Sequence, residues 1–341
     1  MTIESLNQQV HNNKGKDGWP ADLTFKATEG DNVVEVTIGD ARSAKDGVWK
    51  RIDPWGFAFF HKVEEITKNA LTEKPLRLTF SLRPPVTLLA ECQYEALKRR
   101  VSYLAEANHL QITLLRGDAE DELYSIEKLT NRPDTEKVRS DYPDHDHGDD
   151  DTPGRLEKDF QAYLFGKGLH DPSDPEIPRT NERLALFGDD FVRIGKNRVR
   201  ENQEGYKVER EFPTGVFKGE VKKGNRILST EFVDLVTINR KRELAVIEIK
   251  FDDPKLEVIP QVLNYALFFH SYRNKLNPLL HKKLGCATEG RKLVTYLVSN
   301  TFHNKFESVW PYYSQPDPQP ILTIRQVIMG HMPDTELSAA A

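Results

Sequence analysis

The chain has 341 residues, 38% of them apolar, and a formal net charge of −5; at roughly 150 residues per domain this predicts two domains, each long enough to bury a core. Its two cysteines, Cys92 and Cys286, lie far apart, which excludes a disulfide framework and a cysteine-rich zinc site and suits a reducing cytoplasm. The first eighteen residues lack the apolar stretch of a secretory signal, and no apolar run reaches the ~20 residues that cross a bilayer, so no membrane role is expected.

The acidity is local. Residues 117–154 hold 13 acids and 4 bases, and the flanking segments are near neutral or slightly basic. Binding of a polyanion therefore depends on local basic patches.

Residues 1–116 read as an α/β domain. Residues 22–28 and 32–39 predict strands, the second alternating through Val34, Val36 and Ile38. Phe59, Val63, Ile66 and Leu71 recur at helical spacing over 55–71. Residues 76–82 alternate strictly and stop at Pro84 and Pro85, which predicts a strand. A long helix follows over 87–108 with Leu89, Cys92, Leu97, Val101 and Leu104 inward, then a strand over 110–115. Lys98, Arg99 and Arg100 read as a solvated helix face, with phosphate contact as the alternative. No catalytic constellation and no internal repeat is visible here. The domain is expected to serve recognition, regulation or dimerisation, as the contact for a partner protein or a second copy.

Residues 117–154 read as an acidic linker. The stretch from Asp141 to Gly154 combines Pro, Gly and like charges with almost nothing apolar, so burial cannot offset its ordering entropy. His145 and His147 lie among its aspartates and read as part of a solvated tract rather than a metal site.

Residues 155–341 read as a second domain, with the order helix, three strands, helix, strand. Leu156, Phe160, Tyr163 and Leu164 share one helical face over 155–165. Residues 206–221 are a strand region broken by Pro213, residues 231–239 and 243–251 are strands, 257–272 is a helix and 292–299 a buried strand. Two basic turns interrupt this run, at Lys222 and Lys223 and at Arg240, Lys241 and Arg242.

Alternation over 243–251 carries the chemistry. Ala245, Ile247, Ile249 and Phe251 point to one face, and Val246, Glu248 and Lys250 to the other. An acid and a lysine thus emerge side by side from a strand otherwise fit for burial, which is costly unless they are paired or bound to a metal. Asp234 lies inside the preceding apolar strand, and a short hairpin brings it beside Glu248. Two converging carboxylates raise each other's pKa unless a cation neutralises them. A hard divalent ion satisfies both, and magnesium suits one or two carboxylates plus phosphate and water. A buried salt bridge with Lys250 is the plain structural alternative.

An Asp on one strand and Glu-x-Lys on the next, fourteen residues on, resembles the PD-(D/E)XK nuclease superfamily. Gln261 and Tyr265, one turn apart on the following helix, resemble its RecB-like branch, and Glu157 on the first helix matches an acid many members carry there. Thr230 and Glu231, rather than Pro, precede the Asp region. The resemblance covers about residues 155–300. It implies a restriction-endonuclease-like αβββαβ core, a mixed sheet flanked by helices. It further implies a Mg²⁺- or Mn²⁺-dependent nuclease acting on DNA, in a setting such as repair, restriction or antiviral defence. Asp234 and Glu248 would bind metal with the backbone carbonyl of Ile249 and with Glu157; Lys250 would act on water and phosphate, and Gln261 and Tyr265 would position the cluster. The basic residues Lys222, Lys223, Arg240, Lys241 and Arg242 are candidate nucleic-acid contacts. The alternative function is a nucleic-acid-binding module that keeps the fold without cutting.

Overall fold

A computed structural model describes residues 1–15, 18–28, 32–38, 48–69, 76–82, 84, 87–139, 157, 161, 208–239, 241–314 and 322–328. The predicted helix of residues 155–165 is represented there by Glu157 and Gln161 alone, both helical. His145, His147 and Arg240 lie outside the described residues.

The N-terminal part opens with helix α1 (Ile3–Asn12), capped by Thr2, whose hydroxyl accepts from Ser5 N–H. Strands β1 (Leu23–Thr28) and β2 (Val33–Ile38) form an antiparallel hairpin. Their alternation is clean: Leu23, Phe25, Ala27, Val34, Val36 and Ile38 are buried, and their neighbours are exposed or half-buried. Helix α2 (Val48–Asn69) leads to β3 (Arg77–Leu82), parallel to β2, and helix α3 (Leu88–Ala107) leads to β4 (Gln111–Arg116), parallel to β3. Helix α2 starts seven residues before the predicted 55 and runs through Pro54. Trp49, Ile52 and Asp53 are buried ahead of the proline, so packing holds a turn that local propensity disfavours. At Gly56 a Cβ would come within 2.5 Å of the Phe80 ring, so the close approach of α2 to β3 requires glycine.

The acidic segment is ordered at its start. β5 (Ala119–Glu120) pairs with β4, a short helix α4 (Ile126–Thr130) buries Leu129, and β6 (Glu136–Val138) buries Glu136 and Val138. Residues 117–139 therefore belong to the folded body, which corrects the predicted linker over that span; 140–154 lie outside the described residues.

The C-terminal part adds β7 (Glu209–Pro213), β8 (Val216–Lys218), β9 (Arg226–Leu228), β10 (Phe232–Ile238), β11 (Leu244–Lys250), helix α5 (Val258–Leu284), β12 (Leu293–Ser299), helix α6 (Phe306–Ser314) and β13 (Thr323–Ile328). The main sheet has the order β13-β12-β11-β10-β7. β7, β10 and β11 run antiparallel in turn, while β12 and β13 run parallel to β11. β6, β8 and β9 make a separate three-stranded sheet. Helix α5 continues twelve residues past the predicted 272. Tyr272, Leu276, Leu279 and Leu280 keep one face buried, and Gly285 closes it in the left-handed conformation at φ 72°.

Helices α2, α3, α5 and α6 pack on one another, and one continuous hydrophobic cluster joins them to the inner faces of both five-stranded sheets. Asp53 on α2 sits at the centre of this layer. Its carboxylate takes both guanidinium bonds of Arg100 from α3, each 2.8 Å, and the Tyr313 hydroxyl of α6 at 2.7 Å. Arg100 also donates to Asn264 of α5 at 2.9 Å. The halves share one core, which corrects the expectation that each buries its own. The architecture is α/β with mixed sheets, and no helix among the described residues is long and apolar enough to cross a membrane.

Candidate metal centre

Extending the β10–β11 register one step from Leu235 opposite Ile247 sets Asp234 opposite Glu248. Both face α5, on the side of Val236, Ile238, Leu244 and Val246, whereas Ile247 and Ile249 join a second apolar cluster on the other face. The geometry thus brings Asp234, Glu248 and Lys250 together as the alternation predicts.

The partners of each group are specific. Lys250 Nζ lies 2.8 Å from Glu248 Oε1 and 3.1 Å from Glu157 Oε1. Asp234 Oδ2 accepts from the Ile249 backbone N–H at 2.6 Å. Gln161 Nε2 donates to Asp234 Oδ1 at 3.2 Å and to its backbone carbonyl at 3.1 Å, and Gln161 Oε1 accepts from Arg210 Nε at 3.0 Å. On α5, Gln261 Nε2 donates to the Tyr265 hydroxyl at 2.8 Å, which donates to the Phe232 carbonyl at 3.1 Å. Tyr265 therefore pins the strand two residues before Asp234.

Burial sets the electrostatics. Glu248 is 1% exposed, and no donor reaches its buried Oε2; a proton shared with the Asp234 carboxylate beside it is what compensates this oxygen. Burial and the neighbouring Asp234 charge push its carboxyl well above the usual range, against the pull of Lys250. Burial likewise pushes Asp234 up to about 6, although Lys250 and the Ile249 N–H favour its anion. The two carboxylates hold Lys250 above its ordinary value despite desolvation. Burial raises the Tyr265 hydroxyl well out of the titrating range, so it acts as a neutral donor.

A divalent oxygen-seeking ion fits these residues. A buried carboxylate oxygen that no donor reaches, beside a second carboxylate, carries a cost that such an ion removes in place of a shared proton. Among the described residues no group of three His, Cys, Asp or Glu side chains gathers as a metal cage, and Glu157 pairs with the Lys250 ammonium. Two carboxylates remain, the number magnesium uses together with water and phosphate.

The basic turns stand apart from this cluster. Lys241 and Arg242 are exposed at the tip of the β10–β11 hairpin, five residues along the strands from Asp234 and Glu248, about 17 Å at the usual strand rise. Lys222 and Lys223 are exposed between β8 and β9, Lys222 paired with Glu220. Lys98, Arg99 and Arg100 form neither a solvated face nor a phosphate contact. Arg99 and Arg100 are 3% and 1% exposed within ionic networks, and Lys98 pairs with Asp121 at 2.5 Å over the Tyr124 ring.

Two residues of the cluster escaped the sequence reading, Gln161 and Arg210. The available signal was spacing: Gln161 lies one helical turn after Glu157, as Tyr265 does after Gln261. Compared with models of protein families, the chain matches none, and no curated protein matches it.

Proposed function

We propose that the chain is a divalent-metal-dependent nuclease of the PD-(D/E)XK type that hydrolyses phosphodiester bonds in DNA. The observation that carries this reading is the buried Glu248 Oε2, reached by no donor and set against the Asp234 carboxyl, with Lys250 completing the set. The element order from the helical Glu157 through β7, β10, β11, α5 and β12 supports a restriction-endonuclease-like core.

Asp234 and Glu248 would hold Mg²⁺ or Mn²⁺, with the Ile249 carbonyl beside them and Glu157 at the margin. A bound ion supplies positive charge that lowers the pKa of water and offsets charge building on the phosphate. Lys250 donates from its ammonium to the attacking water or the phosphate oxygens. Gln161, held by Arg210, fixes the Asp234 carboxylate, and Gln261 and Tyr265 fix the strand that carries it. This keeps the donors at their spacing through the reaction.

The test is incubation of plasmid and short single strands with Mg²⁺ or Mn²⁺. Cleavage is expected with either ion and is expected to stop in EDTA. Ca²⁺ is expected to bind without turnover, because its looser coordination constrains the in-line geometry poorly. Glu248→Ala should cost at least about 100-fold in rate with the fold intact by circular dichroism. Full cleavage in EDTA, or by Glu248→Ala, overturns the proposal. Retention of DNA without cutting in either ion points to the non-cutting module instead.

A further inference from the structure

Four strands of each five-stranded sheet repeat one plan, and the fifth lies at opposite edges, β5 beside β4 and β7 beside β10. In the N-terminal half a hairpin (β1–β2), a helix (α2), a parallel strand (β3), a helix (α3) and a parallel strand (β4) follow in sequence and lie in that order across the sheet. The C-terminal half repeats it with β10–β11, α5, β12, α6 and β13, in the same order and directions. The helix contacts repeat too. α2 packs on α5, α2 on α6, and α5 on α3. Exchanging the halves maps the first contact onto itself and swaps the other two, as a two-fold relation requires.

This correspondence assigns a counterpart to each of the two carboxylates of the metal centre. From the turn outward, the helix-facing pairs of the C-terminal hairpin are Ile238 with Leu244, Val236 with Val246, then Asp234 with Glu248. Those of the N-terminal hairpin are Ala27 with Val34, Phe25 with Val36, then Leu23 with Ile38. Where one hairpin holds two carboxylates, the other holds Leu23 and Ile38, 0% and 6% exposed. The two positions are also neighbours. Arg51, in the first turn of α2, bonds Asp22 just ahead of β1 at 2.7 Å and reaches Glu257, the residue before α5, at 3.9 Å. Lys50 pairs with Glu231, just ahead of β10.

We infer that this chain is an internal pair of nuclease-like units, one cutting and one silent, that takes duplex DNA across both and severs a single strand per encounter. The inference rests on the nuclease reading of Asp234, Glu248 and Lys250. Duplex DNA has two-fold axes across its own helix, so related halves meet its antiparallel strands in equivalent ways. One strand then meets the unit with the carboxylate pair, and the other meets the unit in which buried Leu23 and Ile38 take its place and neither bind a metal nor activate water. A second copy of the chain is not needed, because the helical face that a pair of units would share is already buried between the halves.

The experiment follows supercoiled plasmid with Mn²⁺, beside a short single-stranded oligonucleotide. It also measures by sedimentation velocity in EDTA how many chains bind a short duplex. Nicked circles should accumulate first, linear DNA should appear only after a lag as independent nicks coincide, and one chain should bind each duplex. Linear product forming without a lag, two chains per duplex, or cutting of the single strand with the plasmid left intact would each overturn the inference while the nuclease reading stands. A wild-type chain that cuts neither substrate defeats the nuclease reading, and this inference with it.

Discussion

The Glu248 carboxyl spends one oxygen on Lys250, and no donor other than a proton shared with Asp234 reaches the other, which is buried. On the proposed function, binding a metal and stabilising the fold without one would therefore make opposite demands on this residue. Glu248→Gln keeps an oxygen toward Lys250 and turns an amide donor toward Asp234. It should raise the stability of the metal-free protein near neutral pH by about 1–2 kcal/mol and abolish metal binding. A thermal melt in EDTA beside a Mn²⁺ titration by calorimetry checks both, and a lowered melting temperature contradicts the electrostatic account. The pH dependence has a definite sign. The folded Asp234 pKa of about 6 lies above the ordinary value of about 3.9, so the native chain holds this proton more tightly than the unfolded one. That stabilisation is complete below the unfolded pKa and is lost as pH rises through about 6. Glu248 acts in the same direction. Wild type in EDTA should thus lose stability relative to Glu248→Gln as pH rises above the unfolded glutamate pKa of about 4.3, as differential melts would reveal. Asp234, Glu248 and Lys250 were legible in the sequence because a charge on the helix-facing side of a buried strand breaks its alternation. Gln161 and Arg210 break no pattern, and only the fold brings them to Asp234.

At the scale of elements, the sequence reads well wherever periodicity is strong and poorly where charge is buried in pairs. The strands β1, β2, β3, β10, β11 and β12 fall within a residue or two of their predicted spans, because alternating burial is a local signal. The segment after β4 reads as a linker from its composition, but its charges have partners elsewhere. Glu136 is 6% exposed, bonds Arg132 at 2.7 Å, lies 3.6 Å from Arg99 and accepts from the Tyr272 hydroxyl of α5. Arg99 in turn bonds Glu95 and Tyr272. No local pattern reveals a network whose members lie on α3, on the turn between α4 and β6, on β6 and on α5. Its consequence is measurable. Glu136→Ala leaves Arg99 and Arg132 buried with less compensation and should cost about 3 kcal/mol in a denaturant melt. Limited proteolysis should spare residues 119–139 in the wild type and cut there readily in the variant. Cutting of the wild type inside α4 or β6 would mean that this network does not hold the segment down.

Across the whole molecule, the repeat of hairpin, helix, strand, helix and strand was invisible in the sequence for a physical reason. What the halves share is the order and direction of elements, whereas the helices differ in length, twenty residues in α3 against nine in α6, and the third hairpin pair differs in chemistry. Packing makes the two halves dependent on each other. Helix α5 buries Val262, Leu263, Leu267, Phe268 and Phe269, and its Asn264 takes a bond from Arg100 of the other half. A fragment that begins near Thr152 keeps α5 and α6 but loses α2 and α3, the helices that cover them. Exposing several such side chains costs roughly 1.5–3 kcal/mol each, against a total stability of about 5–15 kcal/mol for a domain. Tyr313 and Asn264 also lose Asp53 and Arg100 as partners. The fragment should therefore lack a cooperative thermal transition and show weak near-ultraviolet circular dichroism. Co-expression with residues 1–139 should restore both signals, because the missing surface is supplied in trans. A fragment that melts cooperatively alone, with the melting temperature of the full chain, would show that the shared helical layer contributes nothing to stability.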